Sequence, residues 1–224
     1  MARALLLLDI YKNLGYDVVG VGAKDLSASW EFLLDEARKR GLVFVSTNLL
    51  HKERPLFPPF VVMERSGLCI GITAVTAKRM GQTSHDKEIR VEDPESALAP
   101  VVEELRKRTD LVILLSSLGE EEDEKLLARV KGIDILVGSG PGTRLHSPGK
   151  FEGTYLLRPN EKGKSIGEAT VLFDSDRRLK DVQGRLVLLT EDYPEDEEIR
   201  MKVDALYERS KAASGQEIPG AVPE

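Results

Sequence analysis

The spacing of apolar residues changes several times along the chain, and each change marks an element. Two unbroken apolar runs, Leu111 to Leu115 and Ile133 to Val137, flank an acidic stretch in which Leu126, Leu127 and Val130 recur at helical spacing. Short β-branched runs suit strands buried on both faces. The middle suits a helix with one apolar stripe. The unit predicted is strand, helix, strand, with the two strands parallel and joined by a right-handed crossover. Both strands run out into small residues, Ser116-Ser117-Leu118-Gly119 and Gly138-Ser139-Gly140-Pro141-Gly142-Thr143. In open α/β sheets the crevice lies beyond the carboxyl ends of the strands, so both loops are expected to face it.

The same pattern extends on either side. Leu6, Ile10 and Leu14 predict a helix over 3–15 that stops at Gly15, followed by a strand from Tyr16 to Val21. Ser27 or Ser29 caps a second helix that ends near Gly41, and Val43 to Ser46 reads as a second strand. Pro55, Pro58 and Pro59 predict a loop over 51–59 without regular structure. Phe60 to Met63 and Leu68 to Val75 predict a hairpin around Arg65-Ser66-Gly67. Residues 77–94 read as polar and irregular until Asp93-Pro94-Glu95 opens a helix with proline at its first position. After Thr143 a loop runs to Gly153. Thr154 to Arg158, Ser165 to Phe173 and Arg185 to Leu189 then alternate like antiparallel strands, with turns at 160–163 and 174–178.

The switch from strand–helix alternation to hairpin spacing near Gly153 predicts an α/β domain over 1–190 with layered mixed sheets. Residues 191–224 form a charged helical tail. Asp192 to Glu195 with Pro194 reads as a capped helix start, Ile199, Val203 and Leu206 give a narrow stripe, and the helix is expected over 194–211 with disorder beyond Ser214.

Net charge of −6 and the lack of a basic patch argue against a nucleic-acid partner. A single Cys69, in an apolar run, excludes an internal disulfide and reads as a small buried hydrophobe. No segment reaches the roughly 20 apolar residues of a membrane span. Asp9 and Lys12 interrupt the Leu5 to Leu8 run too early for a signal peptide.

Taken in order, five segments resemble the metallophosphoesterase (calcineurin-like) superfamily, and within it the catalytic domain of the 5'-nucleotidase branch. They are 16–25, 44–49, 67–72, 114–119 and 132–143. The resemblance covers roughly residues 5–190. It implies a four-layer α/β/β/α sandwich, here incomplete at the amino terminus, and two divalent metal ions that activate water on a phosphoester.

The departures fall on the ligands. The positions that resemble the family's Asn-His pair are Ala23 and Lys24, its third-motif histidine falls on Ser117, and the two histidines of its last motif fall on Gly140 and Gly142. The family's amino-terminal Asp-x-His and bridging Asp have no counterpart. Asp25 alone keeps a carboxylate. His51, His85 and His146 sit in predicted loops without metal spacing.

The expectation is therefore a catalytically degenerate 5'-nucleotidase-like domain that serves as a binding or structural module, with no metal cofactor. Its crevice would be outlined by Lys24, Asp25, Asn48, Ser117, Gly138, Ser139, Gly140, Gly142, Thr143 and His146. The N–H groups of 138–142 would form a nest for an anion or a phosphate-bearing small molecule. The alternative is an active phosphohydrolase with a rearranged metal site in which Asp25, Glu120, Glu121 and His146 converge. A longer, exported precursor would supply the missing first strand, and the carboxyl-terminal helix would meet a partner protein or a fused domain.

Overall fold

The computed structural model describes residues 2–27, 29–78, 89–139, 141–143, 145–159 and 163–214. Helix α1 (Ala2–Asn13) leads through Gly15, in the left-handed region, to a short strand β1 (Val19–Gly20). Helix α2 (Trp30–Arg40) is capped by Ser29, whose hydroxyl accepts the Phe32 N–H, and it closes on the left-handed Gly41. Strand β2 (Phe44–Val45) pairs parallel with β1. Both strands are shorter than their apolar runs suggest, because only two registered pairs form before the chain turns away.

The proline-rich stretch is not structureless. Strand β3 (Leu49–His51) turns through Lys52 and Glu53, both at positive φ, into β4 (Arg54–Pro55). Pro55 is tolerated there because β4 is an edge strand. Strands β5 (Phe60–Arg65) and β6 (Leu68–Val75) form the expected hairpin. A strand missed in the polar region, β7 (Ile89–Val91), pairs with β3, while 79–88, with His85, lie outside the described residues.

Helix α3 (Pro94–Arg106) starts at Asp93, β8 (Leu111–Ser116) leads into α4 (Glu120–Arg129), and β9 (Ile135–Gly138) completes the crossover. The loop expected over 143–153 holds another strand, β10 (Gly149–Phe151). It hairpins into β11 (Thr154–Leu157). That extra reversal makes β11 run parallel to β9, not antiparallel as its sequence spacing suggests. Strands β12 (Ser165–Phe173) and β13 (Leu179–Leu188) are the true antiparallel pair, turning at Asp174, whose carboxylate accepts the N–H groups of Asp176 and Arg178.

The large sheet has the order β10-β11-β9-β8-β6-β5. One face packs on α3 and α4 through Leu98, Val102, Leu114, Leu126, Leu127 and Leu136. The other carries Ile70, Ile113, Val137, Tyr155 and Leu157 against Val171, Phe173, Leu179 and Val182 of the hairpin. β1 lies on that same face. A Cβ at Gly20 would stand 3.0 Å from the Leu115 Cβ and 3.2 Å from the Ala74 Cβ, so glycine lets β1 approach the sheet without crowding. Val19 and Val21 point the opposite way, into a cluster with Leu8, Leu33, Ala37 and Phe44 of α1, α2 and β2. Helices, sheet, sheet fragments and helices thus form four layers. In the last of these the ring of Trp30 lies 4.6 Å from that of His51.

Helix α5 (Glu197–Ser214) lies against α1 with Ile199, Val203 and Leu206 half-buried. Its start differs from the sequence reading: Asp196, not Asp192, accepts the first-turn N–H, from Ile199. Residues 215–224 lie outside the described residues. Cys69 is only half-buried, since it sits near the start of β6 opposite Glu64.

Candidate functional site

The carboxyl ends of β8, β9 and β11 meet at one place, as the strand order requires. Ser139 bridges the first two: its N–H donates to the Ser116 carbonyl at 2.7 Å, and its hydroxyl to the same oxygen at 3.1 Å. The loop after β9 is pinned to the start of α4 by a reciprocal pair. The Glu120 N–H donates to the Pro141 carbonyl at 2.8 Å, and the Glu120 carboxylate accepts the Thr143 N–H at 2.7 Å. The N–H and hydroxyl of Thr143 hold the Glu120 carboxyl below its usual pKa.

Under these loops lies a buried polar cluster that the sequence did not announce. Asp123, on the first turn of α4, accepts from the Ser116 hydroxyl and from Arg158, whose Nη2 stands 2.6 Å from Oδ2. The two side chains are 1% and 5% exposed. Burial pushes the Asp123 carboxyl up, while the bonds from Ser116 and Arg158 oppose that rise. A Cβ at Gly138 would stand 2.6 Å from Arg158 Nη1, so the guanidinium occupies the space a side chain would need. Arg158 Nε is buried without a partner. The acidic residue at helical position 123 was visible in sequence, but its partner comes from β11's exit, 35 residues on.

The expected crevice residues divide. Ser117, Gly138, Ser139, Gly142 and Thr143 are brought together around the ends of β8 and β9, while Gly140 lies outside the described residues. Ser117 spends its hydroxyl on the Ala77 N–H at 2.9 Å. Asn48 is fully buried and structural. Its Oδ1 accepts the Thr76 N–H at 2.8 Å, and its Nδ2 donates to the carbonyls of Thr76 and Glu92. Asp25 closes its own turn by accepting the Gly22 N–H at 2.7 Å, next to an exposed Lys24. His146 lines a different space, a cavity of about 440 Å³ between the large sheet and the β12–β13 hairpin.

The residues at these strand ends do not fit a two-metal centre. Such a centre needs several imidazole, carboxylate or amide donors from separate strand ends. Ala23 and Gly142 have no donor atom, Lys24 brings like charge, and the Ser117 hydroxyl is neutral and engaged. Nor is a substitute set assembled. Glu120 holds Thr143, Glu121 pairs with Lys125 at 2.7 Å, Asp25 holds Gly22, and His146 faces the cavity. Among the described residues no group of three or more His, Cys, Asp or Glu is placed to hold a metal ion. Likewise no helix is long and apolar enough to cross a membrane.

The layers and their order are those of the fold found in a 5'-nucleotidase precursor and a calcineurin-like phosphoesterase of known structure. The 5'-nucleotidase precursor of Thermus thermophilus superposes with a TM-score of 0.80 at 24% identity, over 97% of this chain and 48% of that one. The calcineurin-like phosphoesterase YfkN of Bacillus subtilis does so with a TM-score of 0.77 at 15% identity, over 94% and 75%. In sequence, the mouse 5'-nucleotidase is 28% identical over 92% of this chain and 40% of its own length. The chain thus spans about two-fifths of that relative. No family model matches it.

Proposed function

We propose that this domain is a catalytically degenerate phosphoesterase-like module that binds or supports rather than hydrolyses. The observation that supports this reading is the donor set at the strand ends. Where the chemistry of the fold calls for metal ligands, this chain offers Ala23, Lys24, Ser117 and Gly142, above a cluster whose charge is already neutralised by Arg158 on Asp123. A phosphate-bearing small molecule is the ligand class suggested by the resemblance. The Ser139 and Thr143 N–H groups already have acceptors, so such a ligand would compete with the Glu120 carboxylate for the loop. The same resemblance extends the proposal to an exported setting in which α5 meets a partner protein or a further domain. Fractionation of expressing cells and cross-linking of α5 read those two points.

The deciding experiment pairs metal analysis with hydrolysis of a generic phosphomonoester such as p-nitrophenyl phosphate. The expected result is substoichiometric manganese, zinc and iron, and no turnover above buffer. Stoichiometric metal with turnover abolished by Asp25→Ala would establish the rearranged-site phosphohydrolase instead.

A further inference from the structure

The large sheet ends on β5, and the ladders show which of its main-chain groups are used. The Cys69 and Val75 carbonyls accept the Asp110 and Ser117 N–H groups at 2.8 and 3.2 Å, so the odd-numbered residues of β6 turn toward β8. In a strand, the N–H and C=O of one residue point to the same side. Leu68, Ile70 and Ile72 therefore serve β5, where the register gives them Arg65, Met63 and Val61. Phe60, Val62 and Glu64 turn their N–H and C=O groups outward. Among the described residues the Glu64 carbonyl is met by the Arg65 guanidinium at 3.0 Å, and no main-chain group pairs with this edge.

The side chains along the edge complement themselves. Val62 lies opposite Gly71, where a Cβ would meet Leu105 of α3 at 2.8 Å, so Phe60, Val62 and Glu64 share the face that looks toward the helices. Arg108, just past α3, holds its Cζ 4.8 Å from the centre of the Phe60 ring. Set a second β5 antiparallel to the first, about a two-fold axis at Val62. Each Phe60 then stands opposite Glu64 of the other copy, and that carboxylate comes up beside Arg108. Arg108 is exposed, and its acceptor within the chain is the exposed Glu104 at 3.2 Å. On the other face Val61 and Met63 meet across the axis, apolar on apolar. Charges on an edge usually repel a further strand. Here they favour one strand, this one, in one register.

We propose that two copies of this chain associate edge to edge through β5, continuing the large sheet across a two-fold axis at Val62. The proposal is independent of what the strand-end loops bind. It is also independent of where the chain starts. A strand before α1 has room in the second layer, whose β1–β2 and β12–β13 pieces share no ladder, and α1 packs over the first of these pieces. Pairing of strands this short buries a small area, so a weak, concentration-dependent dimer is expected.

Sedimentation velocity of the 224-residue chain from about 5 to about 500 µM should show a reversible monomer–dimer equilibrium. Amide exchange at Phe60, Val62 and Glu64 should slow by about tenfold between dilute and concentrated samples, while Val61, Met63 and Arg65 change little. Val62→Pro removes an outward N–H without touching the β6 ladder. Glu64→Lys sets like charge against Arg108. Each should weaken dimerisation by about tenfold or more and keep the far-ultraviolet spectrum. Glu64→Lys combined with Arg108→Glu reverses both charges and should restore the dimer. A monomer at the highest concentration overturns the proposal, as does a dimer insensitive to either folded single variant. So does a charge swap that fails to recover association, or protection of the even-numbered amides already present in the dilute monomer.

Discussion

Arg158 and Asp123 form an ion pair with Nη2 2.6 Å from Oδ2, almost wholly out of water, beneath the loops that close the carboxyl ends of the large sheet. Removing one partner strands the other's charge in a medium of low polarity. Arg158→Leu and Asp123→Leu should each destabilise the domain by about 3–5 kcal/mol, and the double variant by much less than their sum. Urea unfolding of the four proteins measures this. Additive losses would mean that the two groups do not depend on each other.

Gly138→Ala should cost about 1–3 kcal/mol, because its Cβ would meet Arg158 Nη1 at 2.6 Å and the guanidinium could move aside only by loosening its bond to Asp123. In an Arg158→Leu background the penalty should shrink. Thermal unfolding of the single and double variants separates this steric cause from a backbone effect, which would persist in both.

Putting histidine back at Ser117 and Gly142 should not create a metal site. Gly142 has φ of +152°, which side chains rarely adopt, and its Cβ would stand 2.7 Å from the Glu120 Cβ. The expected outcome of zinc titration calorimetry on this double variant is no binding tighter than to the parent chain, together with a lowered melting temperature.

Asn48→Leu should destabilise by about 1–3 kcal/mol for each buried main-chain group it leaves without a partner, the Thr76 N–H foremost. Amide exchange at Thr76 should rise in step. An unchanged exchange rate there would show that the Asn48 contacts carry little of the local stability.

Asp93 gives a pH signature. The Ser96 N–H and hydroxyl hold its carboxyl below the ordinary value of 3.8, so the folded state favours the ionised cap. The stability this adds is complete above the unfolded pKa and is lost as pH falls through the lower folded value. Asp93→Asn keeps a capping oxygen that does not titrate. The difference between the parent chain and this variant should therefore be constant near neutral pH and move in the variant's favour only in strong acid, as read by urea midpoints at a series of pH values.

Much of this architecture is written locally. The crossover from β8 through α4 to β9, the β5–β6 hairpin and the Asp93 cap all follow from residues within a few positions of one another, where apolar period and capping chemistry act alone. The misreadings were of partnership. β3 and β7, three residues each, are too short to show a period, and they exist because they pair across a long sequence separation. β11 keeps the pattern of a strand, but its direction is decided by β10, a three-residue reversal that its sequence hardly marks. At the site, the small residues of both loops were legible because glycine and serine cluster there. Asn48 was legible as a residue near the crevice but not as the clamp it is, since its partners, Thr76 and Glu92, lie far along the chain. The Arg158–Asp123 pair was missed for the same reason.

Trp30 is the only tryptophan in the sequence, and it rests on His51 in the helical layer beside β3. The chain therefore carries one indole lamp, fixed at a single corner. Emission excited at long wavelength will follow the departure of α2 from that corner and stay blind to the hairpin, which holds no tryptophan. If the hairpin side of the molecule loosens first, a fluorescence melt will report an intact protein after circular dichroism has already begun to fall.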